Sequence, residues 1–289
     1  MNVGIIGAGK LGSALGMALS RSGFCISGVY SKNENSTRLL CKRLKIESKN
    51  SIEATIQQSD IIFLSVPDNV IGSVASNIAS SVNTKLIEKK VFVHLSGALT
   101  SEVLKPLEVL GAYTASIHPI QTFADKDNGW QKLYNCFFGF EGCIEAKKHV
   151  ETIVGKLDGK IISIKREQKS LYHAAACVIS NYSVTLFYIM HQLLLKAGMD
   201  EEAATTAFLP LLKNTVNNIE SLGCINALTG PISRGDNEVV KKHIDALSKQ
   251  VPEFEEVYKM LGRQTVCLAK QRENLSEEDV SKLVELLYN

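Results

Sequence analysis

The sequence predicts an α/β architecture in which a doubly wound parallel sheet comes first and an all-helical domain second. Three observations carry this expectation. Short apolar runs alternate with amphipathic stretches from residue 3 to residue 164, the pattern of a parallel sheet covered by helices on both faces. Strand-like runs stop at Arg166, and apolar residues then recur at helical intervals. The 289 residues exceed a usual single domain, so two cores are expected, one in residues 1–165 and one in 166–289.

Strands are expected at residues 3–6, 25–30, 61–66, 91–95 and 112–117. Helical spacing at 11–21, 35–44, 52–58, 70–80 and 101–110 makes the connections crossovers rather than hairpins. Runs at 136–140 and 160–164, with a helix at 144–157 between them, extend the sheet. Beyond it, helices are expected at 172–195, 201–219, 239–248, 252–269 and 277–287. The first of these can span 168–196, long enough to serve as a spine or as a dimer interface, and a homodimer is expected.

Lysine and arginine number 32 against 30 acidic residues, a formal charge of +2. So balanced a chain has no electrostatic attraction for nucleic acid or an acidic membrane. No run of about 18 uninterrupted apolar residues occurs, and MNVGIIGAGK reads as a strand where a signal peptide needs a basic head. A cytoplasmic protein is expected. The seven cysteines form no CxxC pair, so they suggest neither a zinc site nor a disulfide framework, and no metal is expected.

Gly7-Ala8-Gly9-Lys10-Leu11-Gly12 matches G-x-G-x-x-G directly after a strand and before a helix, the context that gives this motif meaning. The glycines turn the chain tightly and bring the backbone close to a pyrophosphate, which the helix N-terminus attracts. The first domain is therefore a Rossmann dinucleotide site. A site for NAD usually ends its second strand in Asp or Glu about twenty residues on; here Tyr30, Ser31 and Lys32 stand instead. An acidic group would repel a 2′-phosphate, whereas serine beside lysine binds one, so NADP(H) is the expected cofactor unless Lys32 is only a solvated charge. Ser65, Val66 and Pro67 leave the third major strand beside the crevice, either lining it or only shaping the turn.

Two further strands end in polar clusters, His94-Leu95-Ser96 and Ser116-Ile117-His118 with Gln121 beyond. Strand ends of this kind open onto the crevice; a strand histidine is also an ordinary structural residue. The helical domain opens with Lys169, His173 and Asn181; on an ideal helix Asn181 lies about 80° in azimuth from His173 and Lys169 about 40° from it, so all three can share one broad face. His173 is a proton donor or substrate anchor, or else makes a capping or interdomain hydrogen bond. Arg234 can hold a carboxylate bidentately, or pair with Asp236, which can cap the next helix.

With these residues in view, the chain resembles the 6-phosphogluconate dehydrogenase-like superfamily, which joins a Rossmann domain to a helical substrate domain. GIIGAGKLGSAL, VYSKN, FLSVPD, HLSGAL, SIHPIQTF, YHAAACVISNY and ALTGPISRGD fit the pattern over nearly the whole chain. Within it the chain is similar to bacterial proteins whose helical domain was long catalogued as of unknown function, some of which resemble an alternative ketopantoate reductase. The resemblance implies NADPH-dependent reduction of 2-dehydropantoate to pantoate in pantothenate biosynthesis. Better-known ketopantoate reductases and hydroxyacid dehydrogenases place a catalytic lysine four residues before an asparagine; here His173 stands four residues after Lys169, so that role does not carry over directly. The chain is also similar to pyrroline-5-carboxylate reductase, which acts on a cyclic imine acid.

The expected reaction is hydride transfer from NADPH to the C2 carbonyl of a small 2-keto acid. His173 protonates the oxygen, Asn181 and Ser96 orient the carbonyl, and Arg234 or Lys169 holds the carboxylate. An imine reductase and a non-catalytic NADP(H)-sensing protein are the alternatives.

Overall fold

A computed structural model describes residues 1–48, 51–123, 125, 127–272 and 275–288. They form two compact units, Met1–Asn181 and Tyr182–Asn289.

In the first unit, β1 (Asn2–Ile6), β2 (Cys25–Tyr30), β3 (Ile61–Leu64), β4 (Val91–His94), β5 (Tyr113–Pro119), β6 (Phe137–Gly142) and β7 (Lys160–Ser163) form one sheet. Its order is β2-β1-β3-β4-β5-β6-β7, so the winding reverses between β1 and β3 and a crevice opens beyond their carboxyl ends. The runs IIFL of β3 and VFVH of β4 bury every residue, because helices cover both faces. On one side α1 (Lys10–Arg21), α2 (Glu34–Leu44) and α6 (Ile144–Lys156) pack against Val3, Ile5, Phe63 and Val93. On the other, α3 (Ile52–Gln57), α4 (Asp68–Ser81) and α5 (Lys105–Glu108) pack against Ile6, Ile62, Leu64 and Phe92. The fold is the α/β one that the alternation predicts.

Three details differ from expectation. The stretch 101–110 is a 3-10 turn, Ser101–Leu104, followed by the single-turn α5, because Pro106 lacks an N–H and sits only in a first turn. β3 stops at Leu64, and Pro67 N-caps α4. β6 runs antiparallel to β5, placing Gly139 opposite His118 and Phe138 opposite Pro119.

The helix α7 (Lys169–Lys196) carries the chain from one unit to the other. The division at 181/182 thus falls inside α7, where the sequence places its change of character at 165/166. The second unit continues with α8 (Glu201–Thr206), α9 (Leu209–Ala227), α10 (Asn237–Gln250), α11 (Glu255–Lys270) and α12 (Glu277–Tyr288). Pro210 in the first turn of α9 splits the helix expected over 201–219. Val240, Val266, Ala269, Leu283 and Leu287 form this unit's core. Among the described residues, α7 buries none fully beyond Lys169, and α9 buries none.

Candidate active site

The glycine motif is tied down at both strands. Gly7 donates its N–H to Tyr30 O at 2.7 Å, and Ser65 donates to Ile6 O at 2.7 Å. Gly7 has φ +107°, and a β-carbon there would collide with the Ser65 carbonyl; one on Gly12 would collide with Gly7 O. A β-carbon on Gly9 would meet nothing within 4 Å. Two glycines are thus required by packing, while the third leaves open space over the helix end. Gly9 caps α1 without a side-chain hydrogen bond, and the first turn holds no acidic residue, so the N–H groups of Lys10, Leu11 and Gly12 remain available to an anion.

A cleft of about 620 Å³ opens over this loop, lined by Gly7, Gly9, Tyr30, Ser31, Lys32, Ser65, Val66 and Pro67 among others. A second, of about 380 Å³, adjoins Tyr30, Ser31 and Lys32 and adds Glu34, Thr37 and Arg38. Arg38, one helical turn beyond Glu34 and 2.8 Å from it, is a second cation beside Ser31 that the sequence motif did not single out. The bare Gly9 and the hydroxyl with two cations at Ser31, Lys32 and Arg38 fit a dinucleotide that carries a 2′-phosphate.

The crevice wall continues into a cluster of imidazoles. Asp68, directly after Pro67, accepts a hydrogen bond from Ser96 Oγ at 2.6 Å. Gly97 follows, and a β-carbon on it would strike both the His173 ring and His118 Cε1. The two rings meet edge to face, their centroids 5.8 Å apart at 79°. Tyr172 OH lies 2.8 Å from His118 Nδ1. The phenol fits because Gly139 leaves room for it: a β-carbon there would come within 2.5 Å of the hydroxyl. Both imidazoles line a cleft of about 470 Å³ with Gln121, Ser180 and Asn181. His173 Nδ1 is buried without a partner among the described residues, so a proton there would be an unsatisfied buried donor, which favours the tautomer with the proton on Nε2.

Burial and the neighbouring His173 and Lys169 push the His118 pKa down to about 4. Burial first, and the neighbouring Cys136 second, push Tyr172 up to about 12. At neutral pH both groups are uncharged, the phenol holding its proton.

Several expected roles change. Ser96 Oγ donates to Asp68 and accepts from the Ala98 and Leu99 amides at 3.1 and 3.0 Å, so its hydroxyl shapes the loop rather than orienting a carbonyl. Lys169 is fully buried and donates to Ser116 Oγ; burial, opposed by Glu141 and Asp68, pushes it down to about 8. It supports the site from behind and has no exposed face for a carboxylate. His94 accepts from the Ser96 amide on Nδ1 at 3.2 Å and faces Thr100 O with Nε2 at 3.0 Å, a structural histidine. Arg234 is exposed in the 3-10 turn Ile232–Arg234 of the second unit. Asp236 caps α10 by accepting from the Val239 amide at 3.2 Å, and no ion pair joins it to Arg234 among the described residues. His173 and Asn181 share one cleft, as their common helix face predicts.

A Rossmann-like domain model matches residues 1–119, and a domain of unknown function (DUF2520) matches residues 136–265. No curated protein is similar enough in sequence to match. Among solved structures, a Thermotoga maritima protein is 25% identical with a TM-score of 0.75, covering 94% of this chain and 100% of that one. A candidate NADP oxidoreductase of Bacteroides fragilis is 24% identical with a TM-score of 0.73, covering 92% and 97%. The NADP-bound pyrroline carboxylate reductase of Plasmodium falciparum is 17% identical with a TM-score of 0.56, covering 99% and 98%. The chain thus shares its fold, a Rossmann-like domain followed by helices, with these proteins from end to end.

Proposed function

We propose that the chain is an NADP(H)-dependent oxidoreductase that reduces a small carboxylic acid at a carbonyl or imine carbon. One observation carries the reading: the wall of the dinucleotide crevice, Ser65-Val66-Pro67, passes by Asp68 and its hydrogen bond to Ser96 into Gly97, against which His118 and His173 lie. The N–H groups of Lys10, Leu11 and Gly12 hold the pyrophosphate, and Ser31, Lys32 and Arg38 hold the 2′-phosphate. When bound, NADPH supplies a hydride. His173, with Nε2–H toward the cleft, donates a hydrogen bond to the oxygen or nitrogen on which charge builds, water entering the cleft supplies the proton that completes the reduction, and Asn181 borders the same space.

A 2-keto acid is the first substrate class, with 2-dehydropantoate its leading member by the family resemblance. A cyclic imino acid is the second, favoured by the fold shared with pyrroline carboxylate reductase. Loss of nicotinamide absorbance with ketopantoate, pyrroline-5-carboxylate and a panel of 2-keto acids tests the proposal. Turnover of one class is expected, and His173→Ala lowers kcat by about 10²- to 10⁴-fold with NADPH affinity retained. Tight NADPH binding with no turnover of any of these acids would replace the enzyme by a nucleotide sensor.

The working form is a cytoplasmic homodimer. Leu171, Val178 and Val184 of α7 and Leu211 and Val216 of α9 are 55–73% exposed, and helices so apolar are normally covered. Residues 166–196 are also long and apolar enough to cross a membrane, with mean hydropathy 1.2 over an 18-residue window. Light scattering on the full chain without detergent separates the two covers: a two-chain mass supports the dimer, and aggregation that only detergent cures supports a membrane.

A further inference from the structure

The hydrogen bond between Tyr172 and His118 has no part in the reaction as described. His118 is on β5, Tyr172 on α7, and Gly139 on β6 lacks the side chain that would displace the phenol. Three elements thus bring one hydroxyl to one ring nitrogen. Tyr172 holds its proton throughout the neutral range and can give it to His118 Nδ1, 2.8 Å away. That arrangement leaves the imidazole proton on Nε2. His118 Nε2 has no hydrogen-bond partner among the described residues and is not among their fully buried unsatisfied atoms, and the ring lines the same cleft as His173. His173, bare and buried at Nδ1, likewise presents Nε2–H. Both rings therefore border one cleft, their centroids 5.8 Å apart and their planes at 79°, close enough for one small oxygen-bearing group to lie against both.

We propose that His118 is a second catalytic donor, held in its Nε2–H tautomer by Tyr172, and that it and His173 together clasp one oxygen of a 2-oxo acid. The substrate class rests on the reading above. Charge that builds on this oxygen during reduction meets two preorganised dipoles, and the proton that completes the alcohol comes from water entering the cleft, so that neither ring is ionised. His118 stays neutral: a proton transferred from it would have to be replaced by ionising Tyr172, whose buried phenolate is disfavoured.

The test uses the full chain, saturated with NADP⁺ and carrying isotope-labelled histidine ring nitrogens, with oxamate as an unreactive 2-oxo acid mimic. Long-range nitrogen–proton spectra should show His118 Nδ1 as the unprotonated nitrogen and Nε2 as the protonated one; His118→Asn assigns the signals. Oxamate should move the Nε2 signals of His118 and His173 together. Tyr172→Phe should abolish the single tautomer and lower kcat about tenfold with KM for NADPH and the melting temperature unchanged, and His118→Ala should cost on the order of 10²-fold in kcat. A proton found on His118 Nδ1, a Tyr172→Phe spectrum identical to the parent's, or oxamate shifts at His173 alone would each overturn the proposal. The spectra decide it even if no acid is turned over, which would defeat the reading of function instead.

Discussion

Ser96 holds three partners with one hydroxyl: the Asp68 carboxylate and the amides of Ala98 and Leu99. Ser96→Ala leaves two loop amides and a carboxylate without that oxygen, and should cost about 2 kcal/mol in chemical denaturation. Since Gly97 follows directly, the same variant should also lower kcat; an unchanged midpoint and rate would show that the loop is held by His94 alone. This role was hidden in the sequence, because Asp68 lies 28 residues away and nothing local links the two. Lys169 was misjudged for the same reason: its hydroxyl partner is Ser116, 53 residues back, and a lysine read alone is expected at the surface. Tyr172 stood beside His173 in the quoted motif, yet its meaning depends on His118, 54 residues earlier. The glycine motif was legible because its spacing and its place between a strand and a helix are local, although the clash that requires Gly7 is with Ser65 on a distant strand end.

At the scale of elements, the strand–loop–helix β1–α1 separates packing from binding. Gly9→Ala adds a methyl group into open space at φ −73°, a conformation alanine accepts. It should leave the melting temperature within about a degree while weakening NADPH binding at least tenfold in calorimetry, because the methyl occupies the place of the phosphate. Gly12→Ala drives its methyl into Gly7 O and should lower both. Equal stability loss in the two variants would contradict this division. The central strands were readable from residues alone because burial on both faces leaves unbroken apolar runs; β2 matches its expected limits. The direction of β6 was not, since an apolar run carries no sign of whether its neighbour runs with it or against it. Helix limits failed where proline intervened, at Pro106 and Pro210, since periodicity continues through a break that the backbone cannot.

For the whole molecule, the buried histidines predict an acid limit to stability. Burial pushes His94 and His118 from 6.5 down to about 4, so between these values the unfolded chain takes up protons that the folded chain refuses. Stability therefore falls as pH drops from about 6.5 toward 4, and these two residues contribute no slope above neutrality. Melting temperatures across this window should decline more steeply for the parent than for His94→Asn; parallel curves would exclude His94 as a cause. The passage from an α/β region to a helical one was readable from the change of periodicity, whereas the seam inside α7 was not, because a continuous helix gives no compositional mark where compactness divides.

The antiparallel return of β6 has a consequence for how this chain can vary. Pairing by register puts a residue without a side chain across from His118, flanked along the strand by Phe138 and Phe140. A slip of one position would bring a benzyl ring to that spot and plug the seat of the phenol. Connections between strands ordinarily take insertions cheaply, but extra residues between β5 and β6 are harmless only while they leave the ladder undisturbed. Length changes there should thus separate into silent ones and ones that unseat Tyr172, with little between.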